Sequence, residues 1–172
     1  MNIFVLHREP LIAASHQCDK HVVKMVLETA QLLCSQFEEG IAPYKRTHYN
    51  HPCSKWARVS KDNFLWLHEH GVGLLEEYTR RYKKTHKCTP IIEWCFKNVE
   101  KVNFESDVFT EHAQAMPETY KHTDPVIAYR NYYLGDKIKF AKWAKGTEAP
   151  EWWTNALISH QVGDDQSSRI IS

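Results

Sequence analysis

The sequence lacks the local signatures of several common catalytic and metal-binding sites. It has only six glycines and no glycine-rich phosphate loop, which disfavours P-loop and dinucleotide-binding chemistry. It contains neither a serine-nucleophile elbow nor a His-Glu-x-x-His motif. Its five cysteines are odd in number and lack the close pair spacing of zinc fingers, so we expect free, buried thiols in a reducing compartment. We therefore predict no cofactor.

Long apolar runs and a strong net charge are also missing. The N-terminus has only four consecutive apolar residues, Ile3 to Leu6, which predicts neither a signal peptide nor a membrane span. We expect a cytoplasmic protein without a membrane partner, in the host cytoplasm if the protein is viral. The formal net charge is +1, so no global basic field indicates a nucleic-acid partner.

The chain is nevertheless rich enough in apolar side chains for a real core. Hydrophobic residues make up 42% of the 172 residues and aromatic residues 12%. Helical periodicity predicts an all-α fold, a compact single-domain bundle over residues 1–158, with a polar, flexible tail over 159–172. We expect Ile3–Leu6 to form a strand or an extended arm. The predicted helices cover about 11–37, 52–83 with a break near 60–62, 89–102, and 125 to 143 or 145, and the segment 103–123 is predicted to be irregular.

The first predicted helix carries an unusual row of polar side chains. His21, Lys24 and Glu28 are spaced i, i+3 and i+4, so their heads lie along one face of the helix. An acid, an imidazole that titrates near neutrality and a primary amine in one row have the groups needed for proton transfer. The alternative is an ordinary solvated face of an amphipathic helix.

Cations and aromatic rings alternate in four segments of the chain. Cations neutralise phosphates and rings offer stacking surfaces to bases, so these segments indicate a nucleic-acid or nucleotide partner. The alternative is that the tyrosines belong to the core and the cations to a solvated surface. The segments are Tyr44–Arg46, Arg80–Lys84, Tyr129–Tyr133 and Lys137–Lys145. The phosphate-contacting candidates are Lys20, Arg81, Arg130 and Lys137, and the base-stacking candidates are Tyr132 and Trp152.

The loop before the second helical region contains His48, His51 and Cys53. These three side chains need a fourth ligand from elsewhere to hold a metal ion, and the alternative is that they cap a helix and hydrogen-bond the loop. We predict no metal and place His48 and His51 among the substrate-binding candidates.

Several of these features together are similar to a known family. Asp19, His21 and Glu28 form an Asp-x-His motif followed by Glu seven residues after the His. A helix introduced by Pro52 runs to a basic end at Arg80–Arg81, and Met116–Glu118 forms a Met-Pro-Glu turn before the last helix. The pattern resembles the phage pyrimidine-dimer DNA glycosylases, the endonuclease V-like enzymes. The opening Met-Asn-Ile-Phe and the Cys-Asp-Lys-His-Val-Val-Lys-Met sequence also resemble those of uncharacterised phage and giant-virus proteins. The similarity to these proteins covers nearly the whole chain.

The resemblance implies a compact all-α fold and an amine-based mechanism. In the family the N-terminal amine attacks the sugar C1′ and forms a Schiff base, a role that would fall to Met1 here. The carboxylate that stabilises the developing cation corresponds to Glu28, and the substrate-binding histidine to His21, with Asp19 beside it. Lys24 is a second candidate for the Schiff-base amine.

The chain departs from the family pattern near these residues. The family exposes a threonine amine, whereas Asn2 follows Met1 here, and Leu27 and Gln31 occupy positions that are basic in the family. Lys20 and Lys24 are candidate substitutes for those charges. We therefore expect cleavage or exchange at a nucleoside N-glycosidic bond, or base modification, with DNA or a nucleotide as partner. The alternative is a non-catalytic nucleotide- or protein-binding viral protein, and the sequence indicates no oligomeric state.

Overall fold

The computed structural model describes residues 1–159, and these form the all-α fold that the sequence predicts. The predicted flexible tail lies outside the described residues, apart from its first residue. No helix among the described residues has both the length and the hydrophobicity to cross a bilayer. The helices are α1 (Pro10–His16), α2 (Asp19–Cys34), α3 (Pro52–Val59), α4 (Lys61–Tyr82), α5 (Thr89–Lys97) and α6 (Pro125–Tyr132), with helical residues again at 151–159. Single turns lie at Val99–Lys101, Glu118–Tyr120 and Tyr133–Lys137.

Helix α4 is the centre of the bundle and packs against α1, α2, α3 and α5. Two glycines allow the close crossings. A Cβ on Gly73 would lie 2.8 Å from the Cβ of Ala14 in α1, and a Cβ on Gly71 would lie 3.0 Å from Thr29 Cγ2 in α2. The helix propensity that each glycine costs, about 1 kcal/mol relative to alanine, is therefore offset by packing that a larger residue would prevent.

Local sequence sets the starts of several helices. Proline occupies the first turn of α1, α3, α5 and α6, where its missing N–H leaves no helical hydrogen bond unmade. Ser60 ends α3 and caps α4 by accepting a hydrogen bond from the backbone N–H of Asn63. The break expected near residues 60–62 is confirmed by this cap.

Two helix boundaries differ from the sequence prediction. The first long helix is divided at Gln17–Cys18, where the Gln17 amide donates to Ile3 O and the backbone N–H of Cys18 donates to the Tyr133 hydroxyl. The last predicted helix ends at Tyr132 and passes into a π-helical turn, Tyr133–Lys137. The break at Gln17–Cys18 has hydrogen-bond partners distant in sequence, which periodicity does not reveal.

The N-terminal residues form a buried extended arm between α2 and the C-terminal half of the chain. Ile3, Phe4, Val5 and Leu6 are all buried. The Asn2 amide fixes the start of the arm, since it donates to Ala115 O. Phe4 has a φ of +61°, a conformation costly for a residue with a large side chain, and it turns the backbone beside α2.

Candidate active site

The arm, α2 and the segment after α6 line a partly open cavity of about 290 Å³, which we call the amine–carboxylate cavity. Its lining combines four cationic groups, one carboxylate, one imidazole and three aromatic rings. The lining residues are Met1, Asn2, Phe4, Lys20, His21, Lys24, Met25, Glu28, Tyr132, Lys137 and Phe140.

An amine and a carboxylate meet at the inner end of this cavity. The α-amino nitrogen of Met1 lies 3.0 Å from Glu28 Oε1, and the side chains of the two residues are only 3% and 10% exposed. Glu28 Oε2 is buried without a hydrogen-bond partner among the described residues, and Lys24 Nζ lies 4.0 Å from it. Because buried carboxylate oxygens are normally hydrogen-bonded, this oxygen is available to a bound ligand or to an attacking nucleophile's proton.

Lys24 differs from Met1 in its surroundings. Its side chain is 68% exposed, whereas the α-amino nitrogen of Met1 lies 3.0 Å from the carboxylate of Glu28, whose side chain is only 10% exposed. The desolvation that commonly activates a lysine nucleophile is therefore missing at Lys24. The geometry favours the amine of Met1 over that of Lys24.

His21 is a neutral side chain held in one orientation. Its Nδ1 lies 2.6 Å from the hydroxyl of Tyr133, and its ring stacks on Phe4 with centroids 4.2 Å apart. Burial lowers the pKa of His21 to about 3, with further lowering by Lys137, Lys24 and Lys20. The sequence suggested an imidazole that titrates near neutrality, and burial removes that property. We assign the Tyr133 hydroxyl as the hydrogen-bond donor and His21 Nδ1 as the acceptor. The proton of the neutral imidazole is then on Nε2, where it can be donated toward the cavity.

The opposite wall of the cavity comes from the end of α6 and the turn that follows. Lys137 Nζ lies 3.3 Å from the Tyr132 hydroxyl and 3.0 Å from Asp136 Oδ2, and it sits over the Tyr132 ring at 4.5 Å. Partial burial lowers the pKa of Lys137, but the hydrogen bonds to Asp136 and Tyr132 outweigh it and raise the pKa overall. Lys137 is therefore a fixed positive charge facing the carboxylate side.

A second hollow of about 570 Å³ adjoins the cavity and shares Lys20, Lys24 and Phe140 with it. Lysines surround an apolar floor in this hollow, which we call the lysine groove. The lining residues are Asp19, Lys20, Val23, Lys24, Tyr82, Phe140, Lys142, Ala144 and Lys145.

Asp19 and Arg81 form a buried ion cluster and do not line the amine–carboxylate cavity. Arg81 Nη1 lies 3.1 Å from Asp19 Oδ1, and Arg81 Nε lies 2.9 Å from Glu77 Oε2. The Arg81 side chain is fully buried and also donates to the carbonyls of Ser15 and Gln17. This corrects the expectation that Arg81 contacts phosphate, because no donor of this guanidinium faces solvent.

Arg130 and Trp152 lie in a separate shallow hollow with His16. The Arg130 guanidinium lies over the Trp152 ring at 5.2 Å, and its Nε donates to Leu6 O. The Trp152 indole donates to His16 Nδ1, while Trp153 is buried in the core. The structure does not bring Arg130 or Trp152 into the amine–carboxylate cavity.

His48 and His51 lie outside both hollows. His51 Nδ1 accepts from the backbone N–H of Cys53 and caps α3, and His48 contacts Thr47 Oγ1 at 2.9 Å. Burial lowers the pKa of His51, and the Met1 ammonium lowers it further. Within residues 1–159, no three His, Cys, Asp or Glu side chains are grouped closely enough to hold a metal ion.

Five residues at the site were not among the sequence candidates: Asn2, Phe4, Met25, Tyr133 and Phe140. The sequence placed Phe4 in a core-packing arm and Tyr133 in a basic-aromatic segment, with a core position as the alternative. Both are indeed buried, yet Phe4 and Tyr133 also fix His21. Phe140 lay within a basic-aromatic segment, and this pattern was the one available signal for it.

Fold and cavity together define a class of protein: an all-α domain in which a partly open cavity pairs an amine with a carboxylate. The family model for pyrimidine dimer DNA glycosylases matches residues 1–90, slightly more than half of the 172 residues. The chain belongs to this family, and membership supports a DNA glycosylase-like function at the family level. No curated protein and no solved structure matches the chain.

The matched region does not cover the whole cavity. It includes Met1, His21, Lys24 and Glu28, whereas Tyr132, Lys137 and Phe140 lie beyond residue 90. The two candidate amines, the imidazole and the carboxylate therefore lie in the region that matches the family. One wall of the cavity lies outside that region.

Proposed function

We propose that this protein is a DNA N-glycosylase that uses the α-amino group of Met1 as nucleophile and Glu28 as its carboxylate partner. The observation that carries the proposal is the 3.0 Å approach of these two groups inside a cation-lined cavity. Glu28 is close enough to accept a proton from this amine, which must be neutral to attack.

The reaction forms one carbon–nitrogen bond and breaks another at the sugar C1′. The glycosidic bond breaks through an oxocarbenium-like state, and its electron pair leaves with the base. The amine nitrogen bonds to C1′ and loses its protons to Glu28 and water, while the departing base is protonated. The nitrogen lone pair then forms the C=N bond of an imine between the protein and C1′, while the C1′–O4′ bond breaks and O4′ takes up a proton. A buried carboxylate beside C1′ stabilises the positive charge that develops there.

The other cavity residues suit binding and orientation. The proposed Nε2–H of His21 donates to a sugar or base oxygen, and Lys137 and Lys20 neutralise phosphate oxygens. Phe4, Tyr132 and Phe140 supply apolar surface for one base. Lys24 contributes charge beside Glu28 in place of the basic residues expected at Leu27 and Gln31.

The size of the cavity supports a small reacting unit. At about 290 Å³ it lies at the lower end of the roughly 300–1,000 Å³ range of small-ligand pockets. We therefore propose that the reacting group is one nucleobase with its sugar, in place of the two covalently joined neighbouring bases of a pyrimidine dimer. Uracil, dimer and modified-base substrates are the panel that tests this choice.

Borohydride trapping is the experiment that tests the amine route. The protein is incubated with an oligonucleotide that carries an abasic deoxyribose, because this sugar forms the imine whatever base the enzyme prefers. Borohydride reduces the imine to a stable secondary amine, and peptide mass spectrometry locates the adduct. We expect it on the Met1 amine and expect it to vanish in N-terminally acetylated protein. An adduct on Lys24 instead would reject Met1 as nucleophile.

Glu28→Gln tests the carboxylate. Loss of one stabilising charge or donor in such a site typically costs 100- to 1,000-fold in turnover, and we expect about this loss on whichever panel substrate is cleaved. Glu93→Gln, an exposed residue on α5, is the matched control and should keep full turnover. Wild-type protein that binds DNA or nucleotide yet neither cleaves a panel substrate nor forms the adduct would support the non-catalytic binding function.

A further inference from the structure

The lysine groove has the two surfaces that a nucleotide requires. Its floor is apolar and includes Val23, Phe140 and Ala144, and its rim carries four ammonium groups. The rim lysines are Lys20, Lys24, Lys142 and Lys145. An apolar floor buries a base, while rim cations neutralise the adjoining phosphates.

The one acidic side chain in the groove does not cancel this charge. Asp19 Oδ1 pairs with Arg81 at 3.1 Å, and Oδ2 accepts from the backbone N–H of Ala144 at 2.8 Å. The carboxylate is thus fully engaged with groups behind the groove. The four lysines give the hollow a positive field on a chain whose formal net charge is only +1.

The lysine groove is continuous with the amine–carboxylate cavity, and this continuity indicates which ligand the groove binds. Lys20 and Lys24 belong to both hollows, so a phosphate between them joins a sugar in the cavity to a second nucleotide in the groove. Lys20 Nζ also lies over the Phe140 ring at 4.8 Å, which holds its charge at this boundary. A base whose face packs against the groove floor has left the base stack of a duplex, so it is unpaired.

We propose that the lysine groove binds an unpaired nucleotide adjacent to the reacting nucleotide on the same strand. The protein then prefers single-stranded or locally opened DNA over intact duplex. This inference rests on the proposed function for the cavity, but its binding test does not require turnover.

The first test measures affinity and its salt dependence. Glu28→Gln protein is titrated with a fluorescein-labelled oligothymidylate and with the matching duplex, and anisotropy reports binding. Each phosphate contact on a single strand contributes about 0.7 to the slope of log K against log salt. We expect the double change Lys142→Gln/Lys145→Gln to reduce the magnitude of that slope by about 1.4 and to weaken single-strand binding by tenfold or more.

A double change elsewhere controls for total charge. Lys55→Gln/Lys97→Gln removes the same two charges from exposed positions on α3 and α5 that do not line the groove. We expect the wild-type slope from this variant. Equal slopes for the two double variants would overturn the groove as a strand-binding site, as would tighter binding of the duplex than of the single strand.

The second test changes the floor of the groove. Val23 and Leu27 lie one turn apart on α2 and are 41% and 36% exposed, but only Val23 lines the groove. Val23→Glu should weaken single-strand binding by at least tenfold, because it places a carboxylate among the phosphates. Leu27→Glu adds the same charge to the same helix and should have a much smaller effect. Circular dichroism confirms that both variants fold.

The outcomes separate this inference from the proposed function. If no imine is trapped but the groove variants lose single-strand affinity, the cavity proposal fails and the groove stands. If the Met1 adduct forms and the groove variants bind like the wild type, the groove fails alone. A dimer in sedimentation that Val23→Glu converts to monomer would instead identify the groove as a contact between copies of this chain.

Discussion

At the residue scale, the hydroxyl of Tyr133 connects the core to the cavity. It accepts from the backbone N–H of Cys18 at 3.3 Å, where α1 and α2 separate, and lies 2.6 Å from His21 Nδ1. This hydroxyl oxygen therefore stabilises the break between α1 and α2 and determines which nitrogen of His21 carries the proton. Burial raises the pKa of Tyr133 well above its ordinary value, so the hydroxyl keeps its proton as a donor.

Tyr133→Phe should reduce turnover about tenfold while lowering the free energy of unfolding by about 1–2 kcal/mol. The stability cost comes from one lost hydrogen bond and from unpaired polar groups on Cys18 and His21. The loss of turnover comes from an imidazole that no longer has a fixed proton position. Steady-state kinetics and urea unfolding measure the two effects.

Tyr129→Phe is the matched control for this prediction. Tyr129 is also fully buried, but its hydroxyl donates to Ala113 O, away from the cavity. It should show a similar stability cost with wild-type turnover. Equal turnover losses in the two variants would show that Tyr133 acts through general packing.

Helical spacing and the family resemblance together predicted which α2 residues gather at the candidate site, but spacing alone did not predict which face of α2 turns inward. His21 and Glu28 are buried, while the apolar Val23 and Leu27 are exposed. Apolar periodicity assigns the polar side to solvent unless that side encloses a cavity. The arm and the segment around Phe140 create this cavity, and both come from distant parts of the chain.

At the element scale, the ion cluster of Arg81, Asp19 and Glu77 links the segment after α6 to α2 and α4. Asp19 accepts from the backbone N–H of Ala144, and its own N–H donates to Lys142 O. Thr147 Oγ1 donates to Glu77 Oε2 at 3.0 Å. The cluster thereby holds the segment that places Phe140 over His21.

Arg81→Met should lower the free energy of unfolding by about 3–5 kcal/mol, because it leaves the buried carboxylates of Asp19 and Glu77 without their shared cation. Arg80→Met is the neighbouring control. Arg80 also pairs with Glu77, but its side chain is 52% exposed, so we expect a loss of less than about 1 kcal/mol. Urea denaturation of both variants gives the comparison, and losses of equal size would contradict a special role for the buried cluster.

The role of Arg81 illustrates what the sequence does not reveal at this scale. The run Arg80–Lys84 has the composition of a solvated basic end, and nothing local distinguishes Arg81 from Arg80. Its burial follows from Asp19, 62 positions away, and from backbone carbonyls at the break between α1 and α2. Proline and serine caps set helix starts from local sequence, whereas tertiary hydrogen bonds set the break at Gln17–Cys18.

At the scale of the whole molecule, neutral histidines join the elements of the bundle. His70 in α4 is fully buried, its Nδ1 donates to Pro10 O in α1, and its Nε2 accepts from the Gln17 amide. Gln17 in turn donates to Ile3 O in the arm. A second proton on His70 would face the Gln17 donor and break this chain of hydrogen bonds.

Three buried histidines and the half-buried His16 predict that acid destabilises the fold. Burial is the main cause in each case, and it lowers the pKa of His16 and His70 to about 4 and that of His21 and His112 to about 3. The unfolded chain takes up protons as the pH falls below about 6.5, while the native protein does not, so the free energy of unfolding decreases with falling pH. Each histidine contributes up to about 1.4 kcal/mol per pH unit between about 6.5 and its native pKa.

We therefore expect the urea midpoint to fall steeply from pH 7 to pH 5. His70→Gln should reduce the slope of the unfolding free energy against pH by the contribution of one proton, up to about 1.4 kcal/mol per pH unit. The exposed His122→Gln should keep the wild-type slope, and only slopes are compared, because His70→Gln also removes packing and hydrogen bonds. A midpoint that stays constant from pH 7 to pH 5 would contradict neutral buried histidines as connectors of the arm, α1 and α4. It would also remove the basis for assigning a neutral His21 to the cavity.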